Sequence, residues 1–394
     1  MKILIIAPFL PYPLDQGGKI RVFNIIKNLI ARHSVTLAVT VDDRRAVELG
    51  PLQHMCSEVL LFERPAQLWP DRARFFTSTA PYNVIRYRCA EMRNALRQLH
   101  QNKRFDVVQI EFAMMWPYAD LFPDTPVVLD AHNIEHDNVR QIGQSAKTLP
   151  WKILYEIERR RLQAVEEQAW RECQLCFAVS DQEREKIAAS VGRGDKVITA
   201  PNGVDPERFK FRKRLKSGKR ILFLGGMDYA PNLDAARYFL AEVLPLIRAE
   251  DSEVSVMLVG RELSRLGPLA ELPGVQCHES VPEVLPWFYE ADLLAVSLRQ
   301  GAGTRIKVLE AMAAGLPVVS TTKGCEGISA RNGQELLVAD TPMALAKAMV
   351  EVIRSPDVAQ TLAQKAHQMV INGYTWESAT RKMEEAYRVL GNHD

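Results

Sequence analysis

At 394 residues the chain has room for two domains of ordinary size. An apolar share of 47%, a charged share of 25% and a formal net charge of +2 exclude a disordered chain and give no reason to expect a nucleic-acid partner. No apolar run approaches the roughly 20 residues that a membrane-spanning helix needs.

Met1 to Ile6 opens a buried strand extending to Leu10, because Pro8, Pro11, Pro13 and Asp15 interrupt any leader-like run. The turn Pro11 to Gly18 leads into an amphipathic helix, Lys19 to His33, with Ile20, Phe23, Ile26, Leu29 and Ile30 at helical spacing. Gly17 and Gly18 offer backbone N–H groups at the helix start, to an anion or a sugar, or else form a plain turn. Further apolar strands are expected at 34–41, 59–62, 106–112, 126–131, 175–180 and 196–200. Strands alternating with helices predict a parallel sheet covered on both faces, with ligands at the carboxyl ends of the strands. That rule directs attention to Asp130-Ala131-His132-Asn133-Ile134-Glu135-His136.

The run 71–104 is locally basic, with Arg72, Arg74, Arg86, Arg88, Arg93, Arg97, Lys103 and Arg104 interleaved with Phe75, Phe76, Tyr82 and Tyr87. It reads as a solvated face or as a peripheral contact with an anionic membrane. Trp151 to Arg171 is a long charged helix whose aromatic residues are expected in the core. Six cysteines lie scattered without a framework, and Cys173-Gln174-Leu175-Cys176 has no second pair at zinc spacing. They read as packed, reduced thiols of a cytoplasmic protein, and no metal is expected.

Asn202-Gly203 within PNGVDPERF is a turn dipeptide, and the polar, basic segment 211–220 has the composition of a linker. A second set of strands follows at 221–226, 254–259, 275–278, 292–297, 317–321 and 335–338, then helices at 345–353, 358–370 and 376–390. The most informative stretch is SLRQGAGTRIKVLEAMAAGLPVVST, Ser297 to Thr321. Its Gly-rich turn brings N–H groups to a helix start, which favours an anion. Arg305 and Lys307 add cations where the helix dipole alone disfavours them, and a diphosphate would offset both. Glu310 is placed further along to hydrogen-bond a hydroxyl such as that of a ribose. Composition alone leaves open an ordinary βαβ unit with a basic helix start.

VLEAMAAGLPVVST after a G-x-G-T turn resembles the C-terminal signature of retaining GT-B glycosyltransferases of family 4. The resemblance implies an α/β chain of two Rossmann-like domains facing each other across a cleft, with boundaries at 1–205 and 206–375. A last helix, 376–394, would return to the N-terminal domain. It implies a hexosyltransferase moving a sugar from a nucleotide-diphosphate donor to a hydroxyl of a glycan or lipid-linked acceptor, without a metal or other cofactor. Gly17, Gly18, Gly226, Gly303, Thr304, Arg305 and Lys307 would meet the diphosphate, Glu310 the ribose and Val281 the base. His132 would orient the donor sugar, with Glu135 and His136 toward the acceptor. His132, Gly18, Arg305 and Lys307 would then carry catalysis. Three departures stand out: Ala302, Gly226 and Pro231 occupy places where the family usually has Glu, Arg and Lys. Arg305 and Lys307 would replace the missing cations. GGMDYAPN is similar to a branch associated with exopolysaccharide loci, whose members would work in the cytoplasm or peripherally at the inner membrane face. Two alternatives share the fold: a UDP-GlcNAc 2-epimerase-like enzyme, and an inactive donor-binding scaffold of a glycan assembly complex.

Overall fold

The computed structural model describes residues 1–65, 78–144, 146, 148–213, 218–301 and 303–391. The chain divides into two compact units, Met1–Pro201 together with the segment from Trp376 onward, and Asn202–Thr375.

The first unit is built on a parallel sheet of seven strands among the described residues. They are β1 (Lys2–Ala7), β2 (Ser34–Val41), β3 (Glu58–Glu63), β4 (Val107–Glu111), β5 (Val127–Asp130), β6 (Leu175–Ala178) and β7 (Val197–Thr199), in the order β3-β2-β1-β4-β5-β6-β7. Side chains alternate along each strand, so β1 feeds two cores. Leu4 and Ile6 pack with Met92, Leu96, Trp116 and Trp170 on one face, and Ile3 and Ile5 with Val22, Ile26 and Tyr387 on the other. The first helix runs Gly17–Leu29, two residues earlier than its apolar spacing predicts. The chain's last helix, Trp376–Gly391, packs against it, and its buried Glu384 holds Arg32 at 2.6 Å and His33 at 2.9 Å.

The second unit carries a six-stranded parallel sheet among the described residues. β8 (Arg220–Leu224), β9 (Ser255–Gly260), β10 (Val275–Glu279), β11 (Leu293–Val296), β12 (Val318–Ser320) and β13 (Leu337–Val338) lie in the order β10-β9-β8-β11-β12-β13. The helix Ile306–Ala314 is rich in strong helix formers and has Ile306, Val308, Leu309 and the run to Ala314 buried, so it fills the core rather than lining it. It stops at Gly315, where φ is +79° and a Cβ would lie 2.8 Å from the Phe211 ring.

The strand order reverses between β1 and β4 in the first unit and between β8 and β11 in the second. At such reversals the loops leave in opposite directions and open a crevice beyond the carboxyl ends. The helix expected at 151–171 is Leu149–Glu172, and its aromatics do not share one environment. Trp170 is buried, whereas Trp151 is 56% exposed, with Leu149, Ile153 and Ile157 exposed beside it. The helix's fully buried residues, Leu162, Glu166, Ala169 and Trp170, all lie in its second half. Among the described residues, no helix is long and apolar enough to cross a membrane.

Candidate active site

In the first unit the crevice is shaped by aromatic packing. A Cβ on Gly18 would lie 3.0 Å from Phe9 Cζ and 3.1 Å from Phe112 Cζ, so glycine lets both rings close over the start of the first helix. Gly17 beside it is exposed. Phe9 and Phe112 meet edge to face with centroids 5.6 Å apart, and Phe112 stacks on His132 at 3.8 Å. Phe112 and His132 both have positive φ, +65° and +58°, a conformation that costs energy in residues other than glycine and here accompanies the stacking of the two rings. Gly18 and His132, far apart in sequence, are thereby joined through one ring.

Beneath them lies a charged cluster that sequence reading missed. Arg21 and Asp130, 1% and 0% exposed, form a two-pronged ion pair with both contacts at 2.8 Å. The Glu111 carboxylate meets His132 Nε2 at 2.6 Å through Oε2 and accepts from Gln109 Nε2 at 2.5 Å through Oε1. Burial, and then the charge of Asp130, push the Glu111 carboxyl above its usual range. The signal was a pair of acidic residues ending adjacent apolar strands, with an arginine among the apolar positions of the first helix.

Glu135 and His136 begin the helix Glu135–Gln144. The buried Glu166 caps that start, accepting from the Glu135 and His136 backbone N–H groups at 2.7 and 2.9 Å and from the His136 ring at 2.7 Å. His136 is thus held by a structural carboxylate. Glu135, raised by burial, accepts a hydrogen bond from Asn133 at 3.0 Å.

In the second unit the loops after β8 and β11 meet. Gly301 has φ +111°, and a Cβ there would lie 3.0 Å from Arg305 Nη2, 3.3 Å from the Tyr229 hydroxyl and 3.6 Å from Pro231. The Arg305 guanidinium therefore lies against Gly301, and Gly303 also has positive φ, +81°. Thr304 is buried, and its carbonyl accepts from Asn202 at 3.3 Å. Arg305 directly precedes the helix, which begins at Ile306. Lys307, half-buried, donates to the Leu224 carbonyl at 2.6 Å. Burial and the neighbouring Arg305 lower its pKa to about 7. Glu310 is 8% exposed and makes no hydrogen bond among the described residues, and burial raises it to about 7.

Gly226 sits beneath an ion pair, Arg261–Asp228 at 2.9 Å, so that a Cβ would lie 3.4 Å from Arg261 Nη2. Arg261 follows β9 and was not singled out by sequence. Val281, half-buried, follows Ser280, whose N–H bonds the Gly260 carbonyl at 2.8 Å at the ends of β9 and β10. Ala302 and the basic residues of 71–77 lie outside the described residues. Of the rest of that basic run, Arg93 is committed to Asp120 and Lys103 to Thr36, while Arg88, Arg97 and Arg104 are exposed.

Among the described residues, Glu111, Asp130 and His132 bring ligand-type atoms within 4.8 Å of one another. Both Asp130 oxygens face the Arg21 guanidinium, so a permanent cation already stands against the cluster. Its donor set suits a proton or a neutral hydroxyl better than a second cation.

The comparisons with known proteins divide along the same two units. A model described as Glycosyltransferase Family 4 matches residues 16–208, and one described as Glycosyl transferases group 1 matches residues 218–355. An uncharacterized 44.6 kDa protein in the cps region of Klebsiella pneumoniae is 22% identical over 392 residues, covering 95% of this chain and 96% of its own. Among solved structures, sucrose-phosphate synthase from Thermosynechococcus elongatus aligns with a TM-score of 0.75 at 17% identity over 99% of both chains. Anabaena HepE, solved in complex with UDP and glucose, aligns with a TM-score of 0.71 at 14% identity over 99% of this chain and 100% of that one. These structural likenesses speak for the fold, and the two family matches between them take in most of both units. The chain belongs to the glycosyltransferases of family 4, with the GT-B fold.

Proposed function

We propose that this glycosyltransferase is a retaining, metal-independent enzyme that moves a hexose from a nucleoside-diphosphate sugar to a hydroxyl of a glycan or lipid-linked acceptor in polysaccharide assembly. The observation that carries the donor reading is the cluster where β8 and β11 part: a glycine turn, a guanidinium against it, a lysine and an unbonded buried carboxylate. Turn and helix N–H groups with Arg305 and Lys307 suit a diphosphate, and Glu310 suits ribose hydroxyls. Arg261 supplies a further cation beside Gly226. The UDP and glucose in HepE and the cps-region relative support a nucleotide-sugar donor and a polysaccharide product.

The departing diphosphate gathers charge, so stabilising that charge is the main catalytic task. Gly17 and Gly18 would add N–H groups to it, and His132 would orient the sugar. Among the described residues, no side chain in the first unit's crevice is placed as a nucleophile by its hydrogen bonds, which suits a front-face route in which the leaving phosphate takes the acceptor's proton. Glu135 and His136 would border the acceptor, and the exposed arginines of 78–104 would rest on an anionic cytoplasmic membrane face. Incubation with UDP-glucose and GDP-mannose tests this reading. Transfer with an α-configured product, undiminished by EDTA, is expected; an inverted product or loss of activity with EDTA would contradict it. Salt-sensitive binding to anionic liposomes tests the membrane contact, and its absence at low salt would end that part.

A further inference from the structure

The hydrogen bonds behind His132 run in a fixed direction. The Tyr387 hydroxyl, on the chain's last helix, donates to Gln109 Oε1. With its carbonyl engaged, Gln109 presents its amide to Glu111, and Nε2 donates to Oε1 at 2.5 Å. The remaining oxygen, Oε2, faces His132 Nε2 at 2.6 Å. Tyr387, Gln109 and Glu111 are all 0% exposed, so water does not substitute for any link. Asp130 lies 3.9 Å from the same ring nitrogen but is matched by Arg21, which leaves Glu111 as the carboxylate that addresses the ring.

A carboxylate and an imidazole nitrogen at this distance hold one proton between them. With Glu111 ionised the proton sits on Nε2, and the neutral ring then keeps its lone pair at Nδ1. Nδ1 has no hydrogen-bond partner among the described residues, and the Phe112 stack together with the positive φ fixes the ring plane. We propose that Glu111, oriented from the last helix through Gln109 and Tyr387, is a positioning residue that keeps His132 Nδ1 bare as an acceptor for a hydroxyl of the donor sugar. This rests on the donor-side role given to His132 above.

The relay makes an isosteric substitution informative. In Glu111→Gln the carbonyl must accept from Gln109, so the new amide N–H faces Nε2 and drives the proton to Nδ1. In the double variant Gln109→Met with Glu111→Gln, nothing claims that carbonyl, and it can turn to Nε2 and restore the original state. The experiment is the ring ¹⁵N spectrum of the full chain with labelled histidine at about pH 8.5, above the ordinary histidine range, with His132 assigned from its loss in His132→Asn. Expected are a bare Nδ1 in the wild type, a protonated Nδ1 in Glu111→Gln, and reversal in the double variant. Turnover of UDP-glucose or GDP-mannose should fall at least about tenfold in Glu111→Gln, with binding of UDP and GDP unchanged. The same ring state in all three proteins would overturn the proposal, as would a protonated Nδ1 with undiminished turnover. Failure of the wild type to bind any nucleotide would fall on the donor reading instead, and the spectrum alone would then decide the tautomer.

Discussion

Glu310 and Lys307 lie on one short helix, and burial displaces both toward neutrality, one from above and one from below. The consequences for stability have opposite signs. Glu310 is raised from 4.5 to about 7, so the folded chain binds more protons than the unfolded one across that window, and stability falls as pH rises through it. Lys307 is lowered from 10.5 to about 7, so the unfolded chain binds more protons there, and stability rises with pH from about 7 upward. Together they place a minimum near neutrality, where a ligand offering hydroxyls and phosphates has most to gain. Glu310→Gln should therefore stabilise the ligand-free protein at about pH 8 by roughly 1–3 kcal/mol and leave it little changed near pH 4.5. The same variant should bind nucleotide about tenfold more weakly, because the ribose loses an ionised acceptor. Thermal melts across pH, with and without nucleotide, check both. A variant no more stable at pH 8 would show that the carboxylate is not strained in the free enzyme.

At the scale of elements, the crevice of the first unit depends on how tightly a helix start, two strand ends and their rings close together. Gly18→Ala adds one carbon against Phe9 and Phe112, at 3.0 and 3.1 Å. Helix propensity favours alanine by at most about 1 kcal/mol, so stability should hardly fall. Transfer should drop about tenfold or more as Phe112 moves and the stacked His132 with it, since small misplacements at a reacting centre are expensive. Kinetics with unchanged melting would bear this out; full activity would show that the ring stack does not position His132. Arg21→Met leaves Asp130 charged and buried and should cost about 3–5 kcal/mol in denaturant unfolding, whereas a loss below about 1 kcal/mol would mean that Asp130 is not ionised there. The strands and the glycine turns were legible because their signals are local: apolar runs bounded by turn residues, and Gly301 and Gly303 where positive φ is needed. The Arg21–Asp130 and Glu111–His132 pairs were not, because each joins residues from different elements whose register only the sheet fixes. The long helix misled for a related reason. Its stripe is continuous from Ile153 to Ala169, but fully buried residues occur only in the second half of the helix, and Trp151, Ile153 and Ile157 are exposed.

Across the molecule, the two families of strands and the change at PNGVD made a two-unit α/β chain readable from the sequence. What the sequence withheld was which loops converge, because that depends on strand order. The β8 and β11 loops are more than sixty residues apart and meet only because β9 and β10 run off to one side and β12 and β13 to the other. Arg261 and Lys307 gain their settings from that order. The central claim is that this convergence binds a nucleoside diphosphate. Its most direct test is a thermal-shift titration of the full chain with UDP, GDP, ADP and their sugars, on wild type and Arg305→Ala. A nucleotide that binds only the folded state adds about 2.7 kcal/mol at 100 times its dissociation constant, well within what a melt resolves. The account predicts a rise with one base, lost in Arg305→Ala; no rise with any nucleotide would contradict it.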